Sequence, residues 1–205
     1  MSCVIHVNNL TFQYQDGARA LSGLSLSVHQ GEKVGVIGPS GAGKTTLFWH
    51  LNGLLKPHSG YIEIFGRSLT ELKTINEVRR HVALTFQQVN DHLFCSSVWE
   101  EIAFGPRNLG WSKQRVCETV EKWLAYFELG TISHRPPHHL SGGEKRRVAL
   151  AAAMAMEPQL FILDEPPAND LDHRNRRRLI TYLILIRHQA LKYSPKKTRQ
   201  RSKEV

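Results

Sequence analysis

Three cysteines stand in the 205 residues, at positions 3, 95 and 117. So few, odd in number and far apart, they supply neither a disulfide framework nor a metal-ligand spacing, and they fit a reducing cytosol. Long apolar runs are also lacking. The longest, Val148–Met156, falls well short of the ~20 residues that span a bilayer, so any membrane role must run through a partner. Residues 1–20 mix His, Asn, Gln, Asp and Arg with the apolar positions and lack the pattern of a secretory signal. No repeat at solenoid periods is present.

A hydrophobic content of 41% over this length is enough for one sizeable core, or one domain with a small subdomain. The formal charge is +9, with a pI near 9.7, which invites a nucleic-acid reading. The distribution removes most of that invitation. Residues 173–205 hold 11 of the 27 Lys and Arg and one acid, Glu204, whereas residues 1–172 are nearly neutral. A basic terminus of this kind reads as a solvated tail, and no nucleic-acid partner is expected.

Cys3–Val7 and Leu10–Tyr14 alternate as short strands, with a turn at Asp16-Gly17. Leu24, Leu26 and Val28 alternate with polar residues as a further strand. Val34–Ile37 is an apolar strand running directly into a glycine-rich loop, and Thr45–Leu55 reads as the helix after it. Tyr61–Phe65 alternates again. Val98–Glu128 turns helical, with Val116, Val120, Leu124 and Phe127 at three- and four-residue spacings. Glu144–Met156 is an Ala-rich helix stopped by Pro158, and Leu160–Leu163 is a buried strand ending at Asp164-Glu165. Leu179–Ile186 could be helix or strand.

Gly38-Pro39-Ser40-Gly41-Ala42-Gly43-Lys44-Thr45 fits G-x-x-x-x-G-K-[ST] in full, between a strand and a helix as that motif requires. Its glycines let backbone N–H groups converge on phosphate oxygens, and the helix N-terminus adds a favourable dipole. Lys44 can meet the β- and γ-phosphates, and the Thr45 hydroxyl can ligate Mg²⁺. Downstream, the strand ending at Asp164 can deliver that carboxylate to the metal, with Glu165 as general base for the attacking water. Leu140-Ser141-Gly142-Gly143-Glu144 opens the Ala-rich helix. It can present N–H and hydroxyl donors to an anion, or form a plain capping box between Ser141 and Glu144. The two are compatible.

These three motifs, in this order, resemble the ATP-binding-cassette ATPases over about residues 3–180. The resemblance implies an α/β fold: a P-loop NTPase core with an N-terminal antiparallel β-subdomain and an inserted helical subdomain at about 88–140. It places the nucleotide-binding domain at 1–187 and ATP and Mg²⁺ as ligands. It implies Tyr14 stacked on adenine, Thr46 beside the P-loop residues, and Gln87 reaching Mg²⁺ and the attacking water. Asp172 matches an acid that contacts the other subunit. In this family two cassettes face head to tail, so that each ATP lies between one P-loop and the opposite Ser-Gly-Gly motif. The segments Phe86–Phe94 and Ala103–Gly110 further resemble the cobalt and energy-coupling-factor importer ATPases, although Val89 stands where Pro is usual. That likeness implies transport-coupled ATP hydrolysis at the cytoplasmic face of the membrane, peripheral and bound to integral membrane subunits, with cobalt, nickel or a vitamin imported. Phe94, Val98, Trp99 and Phe104 are either contacts for a membrane subunit or part of the subdomain's own core.

The pattern departs from the family after Asp172. No apolar strand and Thr-His switch follow; Lys197 stands where the His is implied, and Pro167 where Thr is common. The expectation is a truncated or frameshifted cassette whose C-terminal strand and helices are missing. Its 188–205 tail is expected to be disordered, and its ATP hydrolysis weaker than its ATP binding. The competing expectations are a catalytically impaired nucleotide-binding remnant, or a non-transport member acting on nucleic acid or ribosomes. The latter usually carry tandem cassettes or a long coiled coil, absent from this sequence.

Overall fold

The computed structural model describes residues 2–70, 72–85, 93–164 and 201–204. They fall into two units, residues 2–79 with 201–204 and residues 80–164. No helix among the described residues is long and apolar enough to cross a membrane.

The first unit is built on a four-stranded antiparallel sheet. Its strands are β1 (Cys3–Gln13), β2 (Arg19–His29), β4 (Ser59–Ile64) and β5 (Arg67–Ser68), in the order β2-β1-β4-β5. The two short strands expected before Tyr14 are one strand. Its register shifts between Val7 and Leu10, where Asn9 takes a positive φ of 48°. That bulge moves the buried set from Ile5 and Val7 to Leu10 and Phe12, which explains the change of phase in the alternation. Leu21, Leu26, Val28, Ile62 and Ile64 complete the same buried face.

A short strand, β3 (Val34–Ile37), leads through the glycine-rich loop into α1 (Lys44–Leu51). The helix is shorter than the expected Thr45–Leu55. It is closed by α2 (Leu72–Arg79), whose Arg79 donates from Nε to Asn52 O at 3.0 Å and from Nη2 to Gly53 O at 2.8 Å. Those bonds satisfy carbonyls at the end of α1 that have no partner further along the helix.

Of the 188–205 tail, expected to be disordered, the described residues are 201–204. Arg201–Glu204 form β8, parallel to β3, with Val34 opposite Arg201 and Ile37 opposite Glu204. No apolar pattern announced it. Pairing of this kind is a backbone interaction, and an open strand edge offers unpaired N–H and C=O groups to any segment that reaches it. Ile37 remains 51% exposed.

The second unit pairs β6 (Val82–Thr85) with β7 (Leu160–Leu163) in parallel and packs three helices, α3 (Val98–Asn108), α4 (Lys113–Tyr126) and α5 (Gly142–Ala155). The single helical stretch expected over 98–128 is two helices, the second N-capped by Ser112. Val116, Val120, Leu124 and Phe127 all lie in its core, as their spacing predicts, with Trp123, Ile102, Val148 and Met154. Burying each such side chain contributes roughly 1.5–3 kcal/mol. A Cβ on Gly105 would lie 2.5 Å from Met156 Cγ, so the glycine of Phe104-Gly105-Pro106 lets α3 approach the end of α5 closely.

Candidate nucleotide-binding site

The glycine-rich loop is held from beneath. Gly43 has φ +82°, and a Cβ there would sit 2.3 Å from Ala20 O on β2. Only glycine fits both the conformation and the space. Gly41 is also left-handed, at φ +81°. Ala42 N donates to Pro39 O at 3.3 Å, which curls the loop back on itself. Lys44 folds over the loop, and its Nζ donates to Gly38 O at 2.9 Å and Pro39 O at 2.7 Å. The ammonium is thereby fixed at the mouth of the loop.

The start of α1 has no side-chain cap and no acidic residue in its first turn. The helices α3, α4 and α5 differ, because Ser97, Ser112 and Ser141 cap them. Uncapped N–H groups, left-handed glycines and a fixed ammonium make a concentration of positive potential that fits a polyphosphate. Thr45 is half-buried on the first turn of α1.

Thr46 is buried, at 6% exposure, and its Oγ1 lies 2.9 Å from Tyr14 Oη. Tyr14 is half-buried and meets Phe12 edge-on, ring centroids 5.0 Å apart. Thr46 O is in turn 2.7 Å from Nδ1 of His50, a fully buried histidine that also stands edge-on to Phe12 at 4.7 Å. Burial holds the His50 pKa below the ordinary histidine value, against the hydrogen bond to Thr46 O, which acts to raise it. The sequence singled out Tyr14 and Thr46 separately. It offered no sign of His50, apart from its place on the apolar face of α1 beside Leu47 and Leu51.

In the second unit, Asp164 directly follows β7 with 3% exposure, and its N–H donates to Thr85 O at 3.1 Å. Glu165, Gln87 and Asp172 lie outside the described residues. Ser141 forms a full capping box with Glu144. Its N–H donates to Glu144 Oε2 at 2.8 Å, its hydroxyl donates to the same oxygen at 2.7 Å, and Glu144 N donates back to Ser141 Oγ at 3.4 Å. These bonds hold the Glu144 carboxyl below its usual pKa. The hydroxyl offered by the sequence as a donor to an anion is therefore directed at Glu144. Leu140 is buried in the subdomain core.

Of the four residues singled out in the aromatic segment, two pack into the core and two are exposed. Val98 is fully buried, and Trp99 packs partly buried against the core. Phe94 and Phe104 are 67% and 44% exposed and meet edge-on, centroids 4.9 Å apart. Sequence reasoning missed Glu101, which is buried at 5% exposure and accepts from Phe94 N and Cys95 N. The available signal was its spacing, three residues after Val98 on the core-facing side of α3.

The strand, glycine-rich loop and helix with an antiparallel sheet in one unit, and the helices of the other, are the elements of a P-loop nucleotide-binding cassette. A family profile described as ABC transporter matches residues 21–168. The energy-coupling factor transporter ATP-binding protein EcfA of Carboxydothermus hydrogenoformans is 42% identical over 183 residues, which are 89% of this chain and 67% of that protein. The cobalt import ATP-binding protein CbiO of Rhodobacter capsulatus is 43% identical over 184 residues, 89% of this chain and 65% of that protein. A dimeric ATP-binding cassette solved in a post-hydrolysis state with ADP and Pi superposes with a TM-score of 0.81 at 26% identity, over 90% of this chain and 83% of the other. The chain belongs to the ABC transporter family. It spans about two thirds of the length of those two curated relatives, and 37% of a third.

Proposed function

We propose that this chain binds MgATP at Gly38–Thr45 and serves as the ATP-binding and ATP-hydrolysing subunit of an importer. The observation that carries the reading is the Lys44 ammonium, fixed on Gly38 O and Pro39 O above an uncapped helix start. The β- and γ-phosphates meet Lys44 and the loop N–H groups, while Tyr14 stacks on adenine.

The Thr45 hydroxyl, the Asp164 carboxylate and the Gln87 amide oxygen are hard oxygen donors of the kind Mg²⁺ takes. They are the residues that would hold it. Mg²⁺, when bound, neutralises charge that develops on the phosphates. Glu165 accepts a proton from the attacking water, and Gln87 helps orient that water. Leu140–Glu144 act on the nucleotide of a second, identical or homologous ATPase subunit, and Asp172 contacts that subunit. Lys197 lacks the acceptor chemistry of a histidine, so turnover is slow relative to binding.

The name of the Rhodobacter capsulatus relative supports an imported cobalt ion as cargo, and the sequence resemblance adds nickel or a vitamin as alternatives. The exposed pair Phe94 and Phe104 supports docking on an integral membrane subunit, with the chain peripheral at the cytoplasmic membrane face. The test is ATPase activity with and without the native membrane subunits, with Glu165→Gln as control. Stimulation by the subunits that Glu165→Gln abolishes is expected. Activity indifferent both to the subunits and to Glu165→Gln would overturn the proposal.

A further inference from the structure

The first turn of α3 joins three pieces of chain. Two of its N–H groups are taken by the segment that leads to Ser141: Val98 N donates to Arg135 O at 3.0 Å and Trp99 N to Ser133 O at 2.8 Å. A third, Glu100 N, donates to the N-cap Ser97. Glu101, in the same turn, reaches the third piece. Its Oε2 accepts from Phe94 N at 3.0 Å and Cys95 N at 2.8 Å.

This is a costly way to fill a core position. At 5% exposure the carboxylate has given up its water, and such a group is tolerated only when hydrogen bonds replace that water. Two backbone donors do so, and the start of α3 favours negative charge. A leucine would fill the space without the penalty but would leave the Phe94 and Cys95 N–H groups without this acceptor. What the charge supplies is a fixed backbone at Phe94, whose ring stands exposed against Phe104.

We propose that Glu101 is a positioning residue that sets the exposed Phe94–Phe104 pair and, through the shared first turn of α3, ties that pair to the segment 133–141 entering the signature motif. The inference rests on the reading above that Leu140–Glu144 serve the nucleotide. A shift of Phe94 by a docked hydrophobic helix would then be felt at Ser133 and Arg135 through Glu101, Val98 and Trp99.

Amide hydrogen exchange and thiol alkylation on the full chain test this without nucleotide. In Glu101→Gln, exchange at Phe94 and Cys95 is expected to rise about tenfold or more, the loss of charge-assisted hydrogen bonds. Exchange at Val98, Trp99 and in the 133–141 segment is expected to rise with it. The Cys95 thiol, pushed up to about 11 by burial first and by Glu101 next, should titrate lower and alkylate faster. Glu101→Asp, which keeps the charge on a shorter stem, is expected to move the same amides less, and it serves if Glu101→Gln does not fold. A change confined to Phe94 and Cys95, or none at all, would overturn the proposal. Failure of the wild-type chain to bind MgATP would instead overturn the nucleotide reading, whatever the exchange result.

Discussion

The phenolic oxygen of Tyr14, at the end of the first strand, lies 2.9 Å from Oγ1 of Thr46, on the first turn of the P-loop helix. The residue proposed to stack on adenine and the helix proposed to hold the phosphates are thus joined directly. The bond separates two contributions of Tyr14. Tyr14→Phe keeps the ring and loses the hydroxyl, and should weaken MgATP binding by about 1 kcal/mol or less. Tyr14→Ala loses the ring as well, and should cost about 1–3 kcal/mol, the range for a base stacked on an aromatic side chain. Titration calorimetry on both variants measures this. Equal losses in the two would place the effect in the hydroxyl and contradict stacking.

His50 carries the same connection one turn further, from Thr46 O into the buried face. Its folded pKa is lowered by burial, so the unfolded chain binds the proton more readily. Stability contributed by neutral His50 is full above the unfolded value of about 6.5 and is lost as pH falls below it towards the folded pKa. His50→Phe should flatten this part of the acid dependence of melting temperature. An acid profile identical to wild type below about pH 6.5 would contradict the assignment.

Gly43→Ala places a methyl group 2.3 Å from Ala20 O at φ +82°. The backbone carbonyl of β2 cannot yield as a side chain would, so the loop must deform. The expected outcome is a destabilisation of about 2 kcal/mol or more together with loss of MgATP binding. Denaturant unfolding and calorimetry measure the two effects. A variant with wild-type stability and affinity would show that the loop is not held on β2 as described.

Glu144 caps the helix that Ser141 begins, and its carboxyl pKa is lowered, first by the Ser141 hydroxyl and next by the Ser141 N–H. Its contribution is therefore present above the unfolded carboxylate value of about 4.3 and fades as pH falls through the lower folded value. Glutamine also completes a capping box. Glu144→Gln should then keep near-wild-type stability at neutral pH and lose less than wild type on acidification. Melting curves from about pH 7 to 3 test this; parallel pH profiles for the two proteins would contradict it.

The phosphate loop and the capping box were legible because their geometry is local. A left-handed glycine, a lysine at the helix start, and Ser with Glu three residues on each declare themselves within a few positions. The subdomain core was legible for the same reason, since Val116, Val120, Leu124 and Phe127 repeat at helical spacing. What escaped depends on distant partners. Glu100 and Glu101 are indistinguishable as adjacent acids, yet Glu101 is buried on Phe94 and Cys95 while Glu100 pairs with Arg107 at the surface. The Tyr14–Thr46 bond closes over 32 positions. Strand β8 has no side-chain pattern at all, because its pairing with β3 is a backbone matter. The segment Leu72–Arg79 also gave no warning that Arg79 would close α1.

Binding of a nucleoside triphosphate by Lys44 and its loop is read directly by calorimetric titration of MgATP into the full chain, beside Lys44→Met. Saturable binding by the wild-type chain is expected, weakened about tenfold or more in Lys44→Met by loss of the charge on the phosphates. Absence of binding in the wild type, or equal affinity in the two proteins, would contradict it.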